Sequence, residues 1–116
     1  NQRDQKPLKI NPRTLSVIRD GMHAAVYEQG GTGYSTFIDC PLRKQLKIYG
    51  KTGSTERPDM AWFECFAEDS ADRAVIVVVA VPGGLYGSAF AAPIGRQILQ
   101  FCYDDGHIGI KPKPQP

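Results

Sequence analysis

The run Lys51-Thr52-Gly53-Ser54-Thr55 puts a cation, three hydroxyls and a glycine in five consecutive positions. On an extended strand side chains alternate, so Thr52 and Ser54 share one side and can offer two hydroxyls to a single anion. Lys51 adds positive charge that attracts such an anion, and Gly53 lets a ligand approach the backbone with no Cβ in the way. The chemistry implied is recognition of an anion on a strand. Without flanking context the same run reads as a solvated sheet edge whose lysine discourages aggregation.

Other chemistries fit less well. Gly50-Lys51-Thr52 also ends the phosphate-binding pattern Gly-x-x-x-x-Gly-Lys-Ser/Thr, but Gln45 occupies the place of the first glycine. The bulky stretch from Leu46 to Tyr49 cannot wrap a phosphate with bare backbone amides. His23, about 100° round a helix from Met22, falls on or beside the polar face rather than in a catalytic position. His107 lies near the end of the chain, beside Gly106. Cys40, Cys65 and Cys102 are too widely and irregularly spaced for a zinc site, and an odd count leaves at least one thiol unpaired. Cys65 and Cys102 read as small core residues rather than nucleophiles.

The neighbours of the run carry a resemblance. Gly21-Met22, Gly31-Thr32, Gly50-Lys51-Thr52-Gly53-Ser54, Ala61-Trp62-Phe63, a long aliphatic strand and Ala91-Ala92-Pro93 follow one another between about Ile18 and Gln100. In that order they resemble the C-terminal part of a class B-like penicillin-binding protein transpeptidase domain, in the serine β-lactamase and penicillin-binding superfamily. Tyr49, Ser54 and Glu64-Cys65 depart from the residues common in that family, which are alanine, threonine, and a small apolar residue with glycine.

The resemblance implies that Thr52, Gly53, Ser54 and Thr55 bind the carboxylate of a D-Ala-D-Ala stem peptide or of a β-lactam. It implies that Lys51 supports that anchor and the second-motif serine, and that the backbone N–H of Ser54 is one of two oxyanion-hole donors. Losing one such donor typically costs about 3 to 4 kcal/mol in the transition state. The family's catalysis also needs a Ser-x-x-Lys nucleophile and a Ser-x-Asn-like element. Ser16, Ser35, Ser54, Ser70 and Ser88 are followed three places on by Arg19, Ile38, Arg57, Arg73 and Ala91, and both asparagines precede every serine. The chain is therefore expected to be inactive alone, a fragment of a peptidoglycan D,D-transpeptidase. The alternative is a non-catalytic penicillin-binding-like module or β-lactam sensor domain.

The elements that must position the run follow from periodicity. Asn11 and Pro12 make a helix start, and Leu15, Ile18, Met22, Ala25 and Val26 recur at helical spacing as its apolar face. Gly21 within it suggests a close approach to a sheet, and Gly30-Gly31 its end. After a loop-rich stretch over 30–43, strands are expected at about 46–55, 60–68 and 73–81, with short antiparallel connections. The third, from Ala74 to Val81, is apolar on both faces and must be covered on each. Phe90, Ile94, Ile98 and Phe101 mark the apolar face of a closing helix with a bend at Pro93.

The fold class expected is α+β, a three-stranded antiparallel sheet flanked by an N-terminal and a C-terminal helix, a partial transpeptidase-like fold. Residues 1–10 read as a lead-in, 11–105 as the transpeptidase part and 106–116 as a solvated Pro/Lys tail.

With 116 residues, 41% hydrophobic content and a net charge of +2, the chain bounds one domain at most. Its basic residues are spread along the chain, which gives no nucleic-acid footprint. No apolar run reaches the length of a membrane span. With Asn1 first, the chain is expected to be a processed or truncated product or a deliberately expressed piece, and the family implies a membrane anchor in the parent and a place on the extracytoplasmic face of the bacterial membrane. No metal or organic cofactor is implied. Partners implied are the stem peptide or β-lactam, the remaining N-terminal part of the domain, and self-association through an exposed sheet edge.

Overall fold

The computed structural model describes residues 6–109. Helix α1 spans Pro12–Tyr27, with the Asn11 side chain accepting a hydrogen bond from the Arg13 amide at 2.9 Å. The stretch read as loop contains a short helix α2, Tyr34–Phe37, and a 3-10 turn, Pro41–Lys44, which place Phe37, Cys40 and Leu42 in the core. Strands β1 (Lys47–Thr55), β2 (Met60–Glu68) and β3 (Ala74–Pro82) follow, then a π-helical turn at Gly87–Ala91 and helix α3, Ala92–Asp104. The sheet is antiparallel in the order β1-β2-β3. The expected α+β arrangement is thus present, with all three strands within a residue of the expected positions.

Strand alternation divides the sheet. Ala61, Phe63, Cys65, Ala67, Val77 and Val79 face the helices and are buried. The helix α3 meets them with Ala92, Gly95 and Leu99, which are buried, while Phe90, Ile94, Ile98 and Phe101 are exposed. The apolar face expected for the closing helix is therefore the wrong one, rotated off the core. Close approach decides the rotation, because a Cβ on Gly95 would lie 2.4 Å from Cδ1 of Phe63. Only a position without a side chain can sit that near a buried ring. Pro93 lies in the first turn of α3, where its missing amide hydrogen is harmless, and the irregularity is the π turn before it rather than a bend.

On α1, Val26 is buried, Met22 and Ala25 are half-buried, and Leu15 and Ile18 are exposed. The contacts run along Arg19, His23, Val26 and Tyr27 instead. Arg19 donates to both carboxylate oxygens of Glu68, at 3.1 and 2.8 Å, and to the Tyr49 hydroxyl. Its guanidinium lies over the Tyr49 and Phe66 rings, themselves stacked at 4.4 Å. Cation–π contact and a bidentate ion pair recruit a charged residue to a place that hydrophobic periodicity assigns to Ile18. Gly21 is exposed with nothing within 4 Å of an added Cβ, so it marks no close approach; Gly50 and Gly95 do.

The second face of β3 is open in this chain, with Ile76 78% and Val78 57% exposed. The segment after α3 also departs from expectation, because Ile108 is fully buried and Gly109 is buried rather than solvated. The Asp69 side chain, 1% exposed, accepts from the Ala71, Arg73 and Gly109 amides and from Arg73 Nε. Burial raises its carboxyl pKa, but these donors outweigh that and hold it down to about 2. The rest of the expected tail, 110–116, and the start of the lead-in, 1–5, lie outside the described residues.

Candidate functional site

Strand β1 is a sheet edge, and α1 fixes where it starts. The Tyr27 hydroxyl donates to the Leu46 carbonyl at 3.0 Å and accepts from the Ile48 amide at 3.2 Å. Burial pushes this phenol's pKa up, so it remains a neutral donor. One turn of strand further, Gly50 fits under Val26 and Phe63, since a Cβ there would approach their side chains to 3.0 and 3.1 Å. Lys51 follows directly, so the run that could bind an anion emerges from a close contact of α1 with the sheet.

Alternation holds along the run. Lys51, Gly53 and Thr55 pair with Glu64, Trp62 and Met60, while Thr52 and Ser54 pair with Phe63 and Ala61 on the helix-facing side. Lys51 is exposed, and its ammonium donates to the Thr52 carbonyl. The Thr52 hydroxyl is hydrogen-bonded to the Thr32 hydroxyl at 2.7 Å. The Ser54 hydroxyl accepts from the Gly87 amide at 3.2 Å. The Thr55 hydroxyl turns into the hairpin, donating to the Pro58 carbonyl at 3.2 Å. Gly53 lies under Gly87, where an added Cβ would come within 2.5 Å of the Gly53 carbonyl oxygen. The two hydroxyls thus share a side, as alternation requires, and each is tied to a separate segment of the chain.

Lys51, Thr52, Gly53, Thr55, Trp62 and Glu64 line a shallow cleft of about 380 Å³. Glu64 stands directly opposite Lys51 in register, so its carboxylate offsets part of the lysine's attraction for an anion. A larger hollow of about 650 Å³ lies at the other end of the sheet, where Arg43, Lys44 and Lys47 face Glu68, Asp69 and Asp72. Its three bases and three acids cancel, which leaves no field of one sign to hold an anion. The cleft on β1 is the better candidate despite its size.

The remaining reactive groups sit elsewhere. His23 is half-buried rather than on the polar face, stacked on Tyr27 at 4.0 Å and edge-on to Tyr49 at 5.7 Å. All three cysteines are free thiols; Cys40 and Cys65 are buried and Cys102 is half-buried against the core. Burial pushes the Cys65 thiol up to about 12, which keeps it protonated and unreactive. Phe63 is core and Trp62 lines the cleft, as their opposite faces demand.

Sequence reasoning did not single out Thr32 or Gly87 as parts of the site. Glycines flank Thr32 on both sides in Gly31-Thr32-Gly33, which is a signal of a backbone held close to something. Gly87 carries no such signal beyond being a glycine.

A family model for the penicillin binding protein transpeptidase domain matches residues 1–100, and the chain belongs to that family. No curated protein and no solved structure matches it. No helix among the described residues is long and apolar enough to cross a membrane.

Proposed function

We propose that this chain supplies the Lys-Thr-Gly wall of a serine D,D-transpeptidase that cross-links peptidoglycan on the extracytoplasmic face of a bacterial membrane. The observation that carries the reading is the lysine, hydroxyl and glycine run on an exposed edge strand, lining a cleft, in a chain of the penicillin-binding transpeptidase family. In this reading the stem peptide or a β-lactam docks along the β1 edge by strand addition. Its carboxylate is held by Thr52 and Ser54, which share a side of the strand, with Thr55 at the strand's end, and Lys51 supplies the long-range attraction. Gly53 allows the backbone approach, and the Ser54 amide donates to the developing oxyanion. The nucleophile comes from a Ser-x-x-Lys outside these residues, because no serine here has the lysine partner.

The same reading assigns the open face of β3, with Ile76 and Val78, to contact with the remainder of the transpeptidase domain. Prepared alone, the chain then self-associates through that face. A strictly monomeric, well-folded state in sedimentation would count against this assignment.

The activity test is a gel assay with a fluorescent penicillin, run on this chain and on the protein extended upstream to include any Ser-x-x-Lys. Covalent label on the longer form alone is the expected result. Label on neither would mean a non-catalytic penicillin-binding-like module or sensor, and label on this chain alone would overturn the assignment of the motif.

A further inference from the structure

We infer that Thr32 is a positioning residue for Thr52: its hydroxyl orients and polarises the Thr52 hydroxyl that receives the ligand's carboxylate. The inference rests on the proposed reading of Thr52 as a carboxylate anchor and extends it to a residue far from the motif in sequence.

The first support is the hydrogen bond between the two hydroxyls, 2.7 Å across twenty residues of chain. The second is how firmly Thr32 is held. The Gly31 amide donates to the Glu28 carbonyl and the Gly33 amide to the Ala25 carbonyl, both at 2.9 Å, winding the turn onto the end of α1. A Cβ on Gly31 would stand 2.5 Å from the Ala25 carbonyl oxygen and one on Gly33 3.2 Å from it, so the backbone on either side of Thr32 is pressed against the helix. The same end of α1 rests on β1, where Val26 meets Gly50 two residues before Thr52. Turn, helix and strand are one packed unit that holds the two backbones in place, and the exposed hydroxyl pair spans between them.

A hydroxyl carries one donor and two acceptor sites, and its hydrogen rotates to suit. With no anion present, either hydroxyl can be the donor of this bond. When a carboxylate arrives, the Thr52 hydrogen must point to it and cannot serve the Thr52–Thr32 bond. The Thr32 hydroxyl fills that role by donating to Thr52 Oγ1. This arrangement keeps the pair bonded, fixes the Thr52 rotamer, and strengthens its outward donation through hydrogen-bond cooperativity. No proton leaves either residue. A valine at position 32 keeps the shape and removes the donor; a serine keeps the donor.

The test compares acylation of the full-length protein by a penicillin and by the methyl ester of the same penicillin, for the parent, Thr32→Val, Thr32→Ser and Thr52→Val. Thermal unfolding of each variant is followed alongside. Thr32→Val is expected to slow acylation by the free acid about two- to tenfold, the range a single neutral hydrogen bond supports. It should leave the ester rate unchanged, and Thr32→Ser should restore the acid rate. Equal slowing with acid and ester, or no slowing with either, would overturn the inference while leaving the anchor reading intact. An acid preference that is undiminished in Thr52→Val would overturn the reading of Thr52 as an anchor, and the role of Thr32 with it.

Discussion

Two glycine-to-alanine substitutions in helices, Gly21→Ala and Gly95→Ala, should move stability in opposite directions. Alanine is favoured over glycine in a helix by up to about 1 kcal/mol, so propensity alone says that both stabilise. At Gly21 nothing lies within 4 Å of the new Cβ. That substitution should gain about 0.5 to 1 kcal/mol, chiefly by restricting the unfolded chain. At Gly95 the new Cβ would stand 2.4 and 2.8 Å from Cδ1 and Cε1 of Phe63.

The ring must give way into a packed core. Its far edge, Cε2 and Cζ, faces the Gly50 backbone on β1, and the Phe37 ring is 5.9 Å away between centroids. Overpacking a filled core costs about 1 to 3 kcal/mol, and so short an approach belongs at the upper end. Subtracting the helix gain of about 1 kcal/mol leaves Gly95→Ala about 2 kcal/mol less stable than the parent. Urea unfolding followed by the fluorescence of Trp62, the only tryptophan, reads both changes. With a slope of about 1 to 3 kcal/mol per molar urea, the Gly95→Ala midpoint should fall by roughly 1 M. A rise at Gly95 matching that at Gly21 would refute the claim that Phe63 is confined between α3 and β1.

Two further outcomes follow from titratable groups. The Asp69 carboxyl is held at about 2 in the folded chain, below an ordinary value of about 4. The unfolded state therefore binds more protons, so the clamp on Gly109 is fully present above about pH 4 and is lost as pH falls towards 2. Asp69→Ala should raise amide exchange of the segment around Ile108 and Gly109 at neutral pH, and unchanged protection would show that burial of Ile108 alone holds it. Cys65, buried and pushed up to about 12, should resist iodoacetamide at pH 8 in the native protein while all three cysteines react in urea. Rapid native labelling of Cys65 would mean that α3 lifts from the sheet.

What the sequence determined by itself is local. Asn11-Pro12 set a helix start, because an N-cap and a proline in the first turn act within a few residues. The short hairpin connections placed β1, β2 and β3, and alternation along β2 required Trp62 and Phe63 to take opposite faces, of which packing made Phe63 the inward one. The order of motifs from Gly21 to Pro93 pointed to the family.

The tertiary structure decided which faces are used. Hydrophobic periodicity selected Phe90, Ile94, Ile98 and Phe101 on α3, but distance of approach, which only packing sets, turned Gly95 and Leu99 inward. On α1 it selected Leu15 and Ile18, but two stacked rings and a carboxylate across the sheet drew Arg19 into contact instead. The site divides in the same way. Lys51 to Thr55 are legible because their chemistry lies in one run, whereas Thr32 and Gly87 reach the run only through the turn after α1 and the turn before α3. A hydrogen bond between residues 32 and 52, or 54 and 87, depends on where helices come to rest on a sheet, and no local spacing encodes that.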